Sequence, residues 1–85
     1  MSRRSSRLLG IAIAGTGVAH FVAPGAFEPI SRKPFPQDTR RWVLRNGATE
    51  VAIGLAIAGA RTRKLGVVGL AAYGAWLASR MVAAR

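Results

Sequence analysis

Apolar and polar residues are separated along the chain into long blocks. Residues 8–27, 42–60 and 65–84 consist mainly of Leu, Ile, Val, Ala and Gly, and most of the charge lies between them. A helix of about 20 residues is about 30 Å long, which matches the hydrocarbon thickness of a bilayer. The pattern therefore predicts an all-α fold, a helical transmembrane bundle of three spans, in a single domain over residues 1–85.

The segments between these blocks have the composition of connections. Residues 28–41, "EPISRKPFPQDTRR", contain three of the four prolines and mixed charge, which predicts an interfacial loop at the membrane surface. Pro24-Gly25 predicts an end or a kink in the first helix. The basic turn 61–64 is so short that the second and third spans should be antiparallel neighbours.

The second block, residues 42–60, contains two charged side chains. Its six Leu, Ile and Val residues contribute about 2–4 kcal/mol to insertion, against about 2.5–3.5 kcal/mol for an acid at the helix centre. The segment should insert if Arg45 reaches the interface and Glu50 is protonated or meets a polar partner. Small residues recur at four-residue spacing on the second and third spans: Ala48, Ala52, Ala56 and Ala60, then Gly66, Gly74 and Ala78, with Leu70 as the exception. They predict a close approach of these two helices or reflect only the abundance of Ala and Gly in the chain.

The net charge of +10, from thirteen Lys and Arg against three acids, would suggest nucleic-acid binding in a soluble protein. Here the arginines flank apolar blocks, which favours the lipid bilayer as partner and no nucleic acid. The first block also resembles a signal peptide, but the length of its uncharged run favours a span. The absence of cysteine excludes disulfides and thiolate catalysis by this chain.

Basic residues number the same on the two predicted membrane faces. Arg3, Arg4, Arg7 and the basic turn 61–64 lie close to the ends of helices, and the first helix usually dominates, which favours a cytoplasmic N-terminus. We expect four side chains to act as interfacial anchors: Arg7, Trp42, Arg45 and Arg80.

His20 and Glu50 are polar residues inside predicted spans. At about 1.5 Å per residue they lie about 10 Å and about 12 Å below the loop 28–41, so they can meet across antiparallel helices. We interpret them as a buried polar pair, with Asn46 on the same helix face as Glu50. The pair can lock helix packing, relay a proton, contact a quinone-like ligand or take part in a metal site. A single histidine leaves such a metal site short of ligands, so no metal and no cofactor is predicted.

The chain resembles the DoxX-like family of small bacterial membrane proteins. The matching pattern is Gly-x-x-His-Phe-x-x-Pro-x-x-Phe, followed by a proline-rich loop, then Gly-x-x-Glu-x-x-x-Gly and the basic segment "ARTRKLGVVGL". The residues of this chain that match the pattern are Gly17, His20, Phe21, Pro24, Phe27, Ile30, Pro34, Pro36, Gly47, Glu50 and Gly54.

The resemblance implies a four-helix bundle. Family members usually carry Pro-Ala-Asn near the end of the third helix, whereas this sequence has "LASRMVAAR" there and no fourth helix. The resemblance therefore implies a shortened family member in the bacterial plasma membrane, completed by another membrane subunit or by self-association. The main hypothesis is a structural or accessory subunit of a membrane assembly. The alternative is an oxidoreductase-associated subunit that handles a quinone or a proton through His20 and Glu50. No nucleophile motif accompanies His20, which favours a non-enzymatic protein, with no catalytic residue assigned.

Overall fold

The computed structural model describes residues 2–84, which form four α-helices. They are α1 (Arg3–Val22), α2 (Pro24–Ser31), α3 (Thr39–Ala58) and α4 (Arg63–Ala83). Residues 2–84 contain no β-strand, so the predicted all-α class is confirmed. The single domain predicted over residues 1–85 includes Met1 and Arg85, which lie outside the described residues.

The first predicted span, residues 8–27, is divided between two helices. Ala23 has φ −136° and ψ 63°, which is not helical, so α1 ends at Val22. Pro24 then occupies the first position of α2, where a fixed φ favours the helix and the missing N–H costs nothing. The Pro-Gly pair thus interrupts the helix, as predicted, and also starts a new one.

The predicted loop over residues 28–41 is wrong at both ends. Residues up to Ser31 belong to α2, and α3 already begins at Thr39. The backbone N–H of Phe35 still donates to the Ser31 carbonyl at 2.8 Å, and the Thr39 hydroxyl donates to the Phe35 carbonyl at 2.6 Å. The prolines that suggested a loop are therefore accommodated by a short helix and a compact turn.

The three long helices form a layer with α3 in the middle. Helix α3 packs against α1, α2 and α4, whereas no Cα atom of α1 lies within 8 Å of a Cα atom of α4. The Cα atoms extend over 38 × 26 × 15 Å, so the arrangement is flattened along one axis. The predicted bundle is therefore open, because a closed one would bring α1 and α4 together.

Helices α1 and α3 approach each other through glycine. A methyl group on Gly54 would overlap backbone atoms of Gly10 and Ala14, so no larger side chain fits in the present arrangement. A methyl group on Gly47 would likewise overlap the Cβ atom of His20. Of the alanines predicted to pack against the third span, Ala48, Ala52 and Ala60 are exposed, whereas half-buried Ala56 meets Gly66 of α4. Small residues allow the backbones to approach closely at both helix contacts.

Helices α3 and α4 are antiparallel neighbours, as the short turn predicts. Gly66 is buried against Ile57 near this turn. The Arg63 guanidinium donates to the Ile57 carbonyl at 2.8 Å, and the Thr62 hydroxyl donates to the Ala56 carbonyl at 2.7 Å. These bonds satisfy carbonyl groups that the end of a helix leaves without partners.

Two of the helices, α1 and α4, are long and apolar enough to cross a membrane by length and composition, whereas three spans were predicted. Helix α3 does not meet this criterion, because Arg40, Arg41, Arg45 and Glu50 lower its hydropathy. Much of α1 and α4 is exposed, including Val22 and Leu65, which are 79% and 75% accessible. These surfaces suggest membrane association.

Candidate functional site

All four helices contribute to a cavity of about 310 Å³ at the centre of the layer. Its polar lining residues come from three helices and from the end of α2: Thr16, His20, Ser31, Asn46, Glu50 and Tyr73. Its apolar lining residues are Phe27, Ile30, Pro34, Phe35, Leu77 and Met81. A largely apolar cavity with a few converging polar groups is the usual form of a small-molecule site.

His20 is held on three sides. Its ring lies 2.7 Å from the Thr16 carbonyl through Nδ1, and a carbonyl can only accept, so Nδ1–H is the donor. The Phe27 ring stacks on the imidazole, with centroids 3.8 Å apart and an angle of 18° between the planes. Gly47 lies beneath the Cβ atom of His20. These contacts fix the ring with Nε2 directed at the opposite helix.

Glu50 faces His20 from α3. Its Oε2 lies 3.5 Å from His20 Nε2 and accepts a hydrogen bond from the Tyr73 hydroxyl at 3.2 Å. The structure thus brings the predicted pair together and adds a third polar group from α4. A separation of 3.5 Å is long for a direct hydrogen bond, so the two groups are in contact without being tightly bonded.

The connected groups can share a proton. With Nδ1–H committed to Thr16, neutral His20 presents Nε2 as an acceptor, and a protonated Glu50 can donate to it. In the opposite state, imidazolium faces carboxylate, and Tyr73 also donates to that carboxylate. Both states keep the hydrogen bond from Tyr73 to Glu50, so the geometry is compatible with a proton on either member of the pair.

Asn46 was predicted to join the network. The structure buries it, at 7% exposure, and places it in the cavity wall. Among residues 2–84 its side chain makes no hydrogen bond to His20 or Glu50, so it borders the cavity beside the pair. Within the same residues, no three His, Asp or Glu side chains lie close enough to form a metal-binding group.

The predicted interfacial anchors lie at the two ends of the layer. Arg7 is exposed on α1. At the opposite end, the Arg45 guanidinium carbon lies 5.0 Å from the Trp42 ring centre, and that of Arg80 lies 4.8 Å from the ring centre of Phe35. Arg80 also contacts Trp42 and donates to the Pro34 carbonyl at 3.2 Å. Arg80 thus packs on aromatic rings, an interaction that stabilises a partly buried cation.

Sequence reasoning did not assign Tyr73 to the site, and it identified Phe27 only as a residue of the DoxX-like pattern, without its contact with His20. Counted from the turn 61–64, Tyr73 and Glu50 lie at similar depth on antiparallel helices, and this register could have identified Tyr73. The stacking of Phe27 on His20 depends on the change of direction at Ala23, which the sequence indicates only as a break.

Comparison with known proteins gives one match. A family model described as a domain of unknown function (DUF8561) matches residues 9–85, which include every residue of the cavity. No curated protein and no solved structure matches the chain.

Proposed function

The chain belongs to the DUF8561 family of domains of unknown function, and we propose that it is an integral membrane protein that crosses the bilayer three times as a structural or accessory subunit of a membrane assembly. The observation that carries this proposal is the apolar surface of α1 and α4, on which large hydrophobic side chains lie exposed. Lipid would cover this surface. An exposed apolar area of this size is unfavourable in water. The proposed location is the bacterial plasma membrane, with the N-terminus in the cytoplasm.

The polar residues of α3 support a third crossing. Glu50 meets His20 and Tyr73 inside the protein, so it need not face lipid. Arg45 lies beside Trp42 close to the start of the helix, from which a long side chain can reach the membrane surface. Arg45 and Glu50, the two charged residues within the predicted span 42–60, therefore have positions compatible with a membrane span.

The open face of α4 supports a partner. It carries a stripe of exposed small residues, Ala71, Gly74, Ala75 and Ala78, and a methyl group on Gly74 would meet no atom within 4 Å. Small residues allow a second helix to approach closely in a membrane, as Gly54 does between α1 and α3. We propose that a helix of another subunit, or of a second copy, packs on this face.

We also propose that the chain is a DoxX-like protein. The support is that residues of the shared sequence pattern, distant in the chain, converge on one cavity: His20, Phe27 and Glu50.

A second candidate function is the handling of a quinone or a proton at the cavity. It is favoured by the chain of contacts from the Thr16 carbonyl through His20 and Glu50 to Tyr73, beside a cavity large enough for a small ring. Polar side chains of this kind within a membrane commonly mark proton or ligand pathways.

The first prediction tests these proposals in one preparation. Membranes that contain the protein are washed with alkaline carbonate and then extracted with a mild detergent. We expect the protein to stay in the membrane pellet, because its apolar helices are held by lipid, and to elute after extraction together with a second subunit or as an oligomer.

Release by the carbonate wash would overturn the integral-membrane proposal, and elution as a lone monomer would overturn the subunit proposal. Quinone in the purified fraction would favour the second candidate if Glu50→Gln removed it. The matched control is Glu28→Gln, which removes the same charge from an ion pair with Arg40 outside the cavity.

A further inference from the structure

Two further cavities adjoin the central cavity toward the loop end of the layer. A second cavity of about 330 Å³ shares Ile30, Pro34 and Met81 with the central one. A third, of about 240 Å³, shares Lys33, Pro34 and Ala84 with the second. Together the second and third cavities form one groove between α2 and the end of α4, which we call the outer groove.

The outer groove has mostly apolar walls. It is cationic where Lys33 and Arg80 line it, which we call its mouth. Its apolar walls are Pro29, Ile30, Pro34, Met81 and the alanines at the end of α4. Its charged lining residues are Lys33 and Arg80, and no acidic side chain among residues 2–84 lines it. A ligand that matches this surface has a hydrocarbon portion and an anionic head.

Both cations have donors to offer. Among residues 2–84 neither Lys33 nor Arg80 forms an ion pair with an acidic side chain. Arg80 directs one N–H at the Pro34 carbonyl, and a guanidinium carries five. Its contact with the Phe35 ring and its bond to the Pro34 carbonyl restrain the Arg80 side chain, so less side-chain freedom is lost when an anion binds.

We propose that the outer groove binds an anionic membrane phospholipid, with its phosphate at Lys33 and Arg80 and one acyl chain along Ile30 and Met81. The mouth lies beside Trp42 and Trp76, which contact Arg80, and tryptophan is typical of the head-group level of a bilayer. A lipid is therefore the anion whose phosphate would lie at the same level of the bilayer as the mouth of this groove. This inference rests on the proposed membrane location and does not depend on a partner subunit or a quinone.

The second prediction compares two neighbouring cations. The purified protein in neutral detergent is titrated with phosphatidylglycerol or with phosphatidylcholine of the same acyl chains, and bound lipid is counted by native mass spectrometry. We expect phosphatidylglycerol to bind more tightly, and Lys33→Gln to weaken it about tenfold, the loss typical of one charged contact.

Arg32→Gln is the matched control, because Arg32 is exposed, adjacent in sequence and outside the groove. It should weaken binding about twofold or less, since it contributes only to the general surface potential. Glycerol phosphate and inorganic phosphate should not compete at equal concentration, because both lack the acyl chain.

Equal effects of Lys33→Gln and Arg32→Gln, equal binding of the two lipids, or full competition by inorganic phosphate would each overturn the lipid site. The membrane proposal is judged separately by the carbonate wash. A protein that resists the wash but shows one of these results would retain its proposed location and lose this site.

Discussion

Gly54→Ala is expected to destabilise the protein strongly, by about 1–3 kcal/mol in the free energy of unfolding, the usual range for overpacking. The added methyl group would overlap backbone atoms of Ala14 and Gly10, and a helix backbone cannot move aside as a flexible side chain can. Helices α1 and α3 would therefore have to separate. Unfolding can be followed by tryptophan fluorescence while the detergent micelles are titrated with sodium dodecyl sulfate.

Gly15→Ala is the matched control on α1. No atom lies within 4 Å of a methyl group at Gly15, so this change should be neutral or stabilising, by up to about 1 kcal/mol from helix propensity alone. The same loss of stability in both variants would indicate a general intolerance of alanine. A neutral Gly54→Ala would mean that the two backbones are not in contact.

The second large effect is expected at His20 and Glu50. His20→Ala removes the polar partner of the half-buried Glu50 carboxyl group and leaves it only the Tyr73 hydroxyl, which should cost about 1–3 kcal/mol, the range for a lost partner of a buried polar group. Glu50→Gln should cost less, because an amide keeps a polar contact with the imidazole and can accept from Tyr73 without a charge. In the double variant the two losses should not add, as measured in the same detergent titration.

The control for this cycle pairs His20→Ala with Asp38→Asn. Asp38 precedes α3 in a left-handed conformation, with φ 52°, which asparagine also tolerates. These two changes should add to within about 0.5 kcal/mol, as expected for separate sites. Additive losses at His20 and Glu50 would show that the two side chains do not interact.

The helices could be predicted from the sequence because their signals are long. The apolar blocks and the turn 61–64 suffice for three long helices and for the antiparallel pairing of α3 with α4. Helix α2 escapes prediction because proline usually breaks a helix, although Pro24 stands at the first helical position, where it is favoured. Local composition does not distinguish a proline that ends a helix from one that starts it.

The site could be predicted only where depth decides the contact. His20 and Glu50 meet at 3.5 Å, and counting residues from the loop 28–41 predicts similar depths for them. The stacking of Phe27 depends on the backbone angles at Ala23, and the contact of glycine with glycine depends on helix rotation. The small residues Ala48 and Ala52, which were predicted to face a neighbouring helix, are exposed, whereas the contact with α1 is made by Gly47 and Gly54. Spacing alone therefore identifies a helix face less securely than a depth.

The three proposed membrane crossings place successive connections on opposite sides of the bilayer. The chain has no cysteine, so single cysteines introduced at Ser2, Gln37 and Ala60 each give one site for an impermeant thiol reagent. These positions lie before α1, between α2 and α3, and in the turn before α4. With an inside N-terminus, intact cells should label Gln37→Cys, while Ser2→Cys and Ala60→Cys should react only after the membrane is opened. Labelling of Gln37→Cys and Ala60→Cys from the same side would contradict the three proposed crossings, because α3 would then not cross the bilayer.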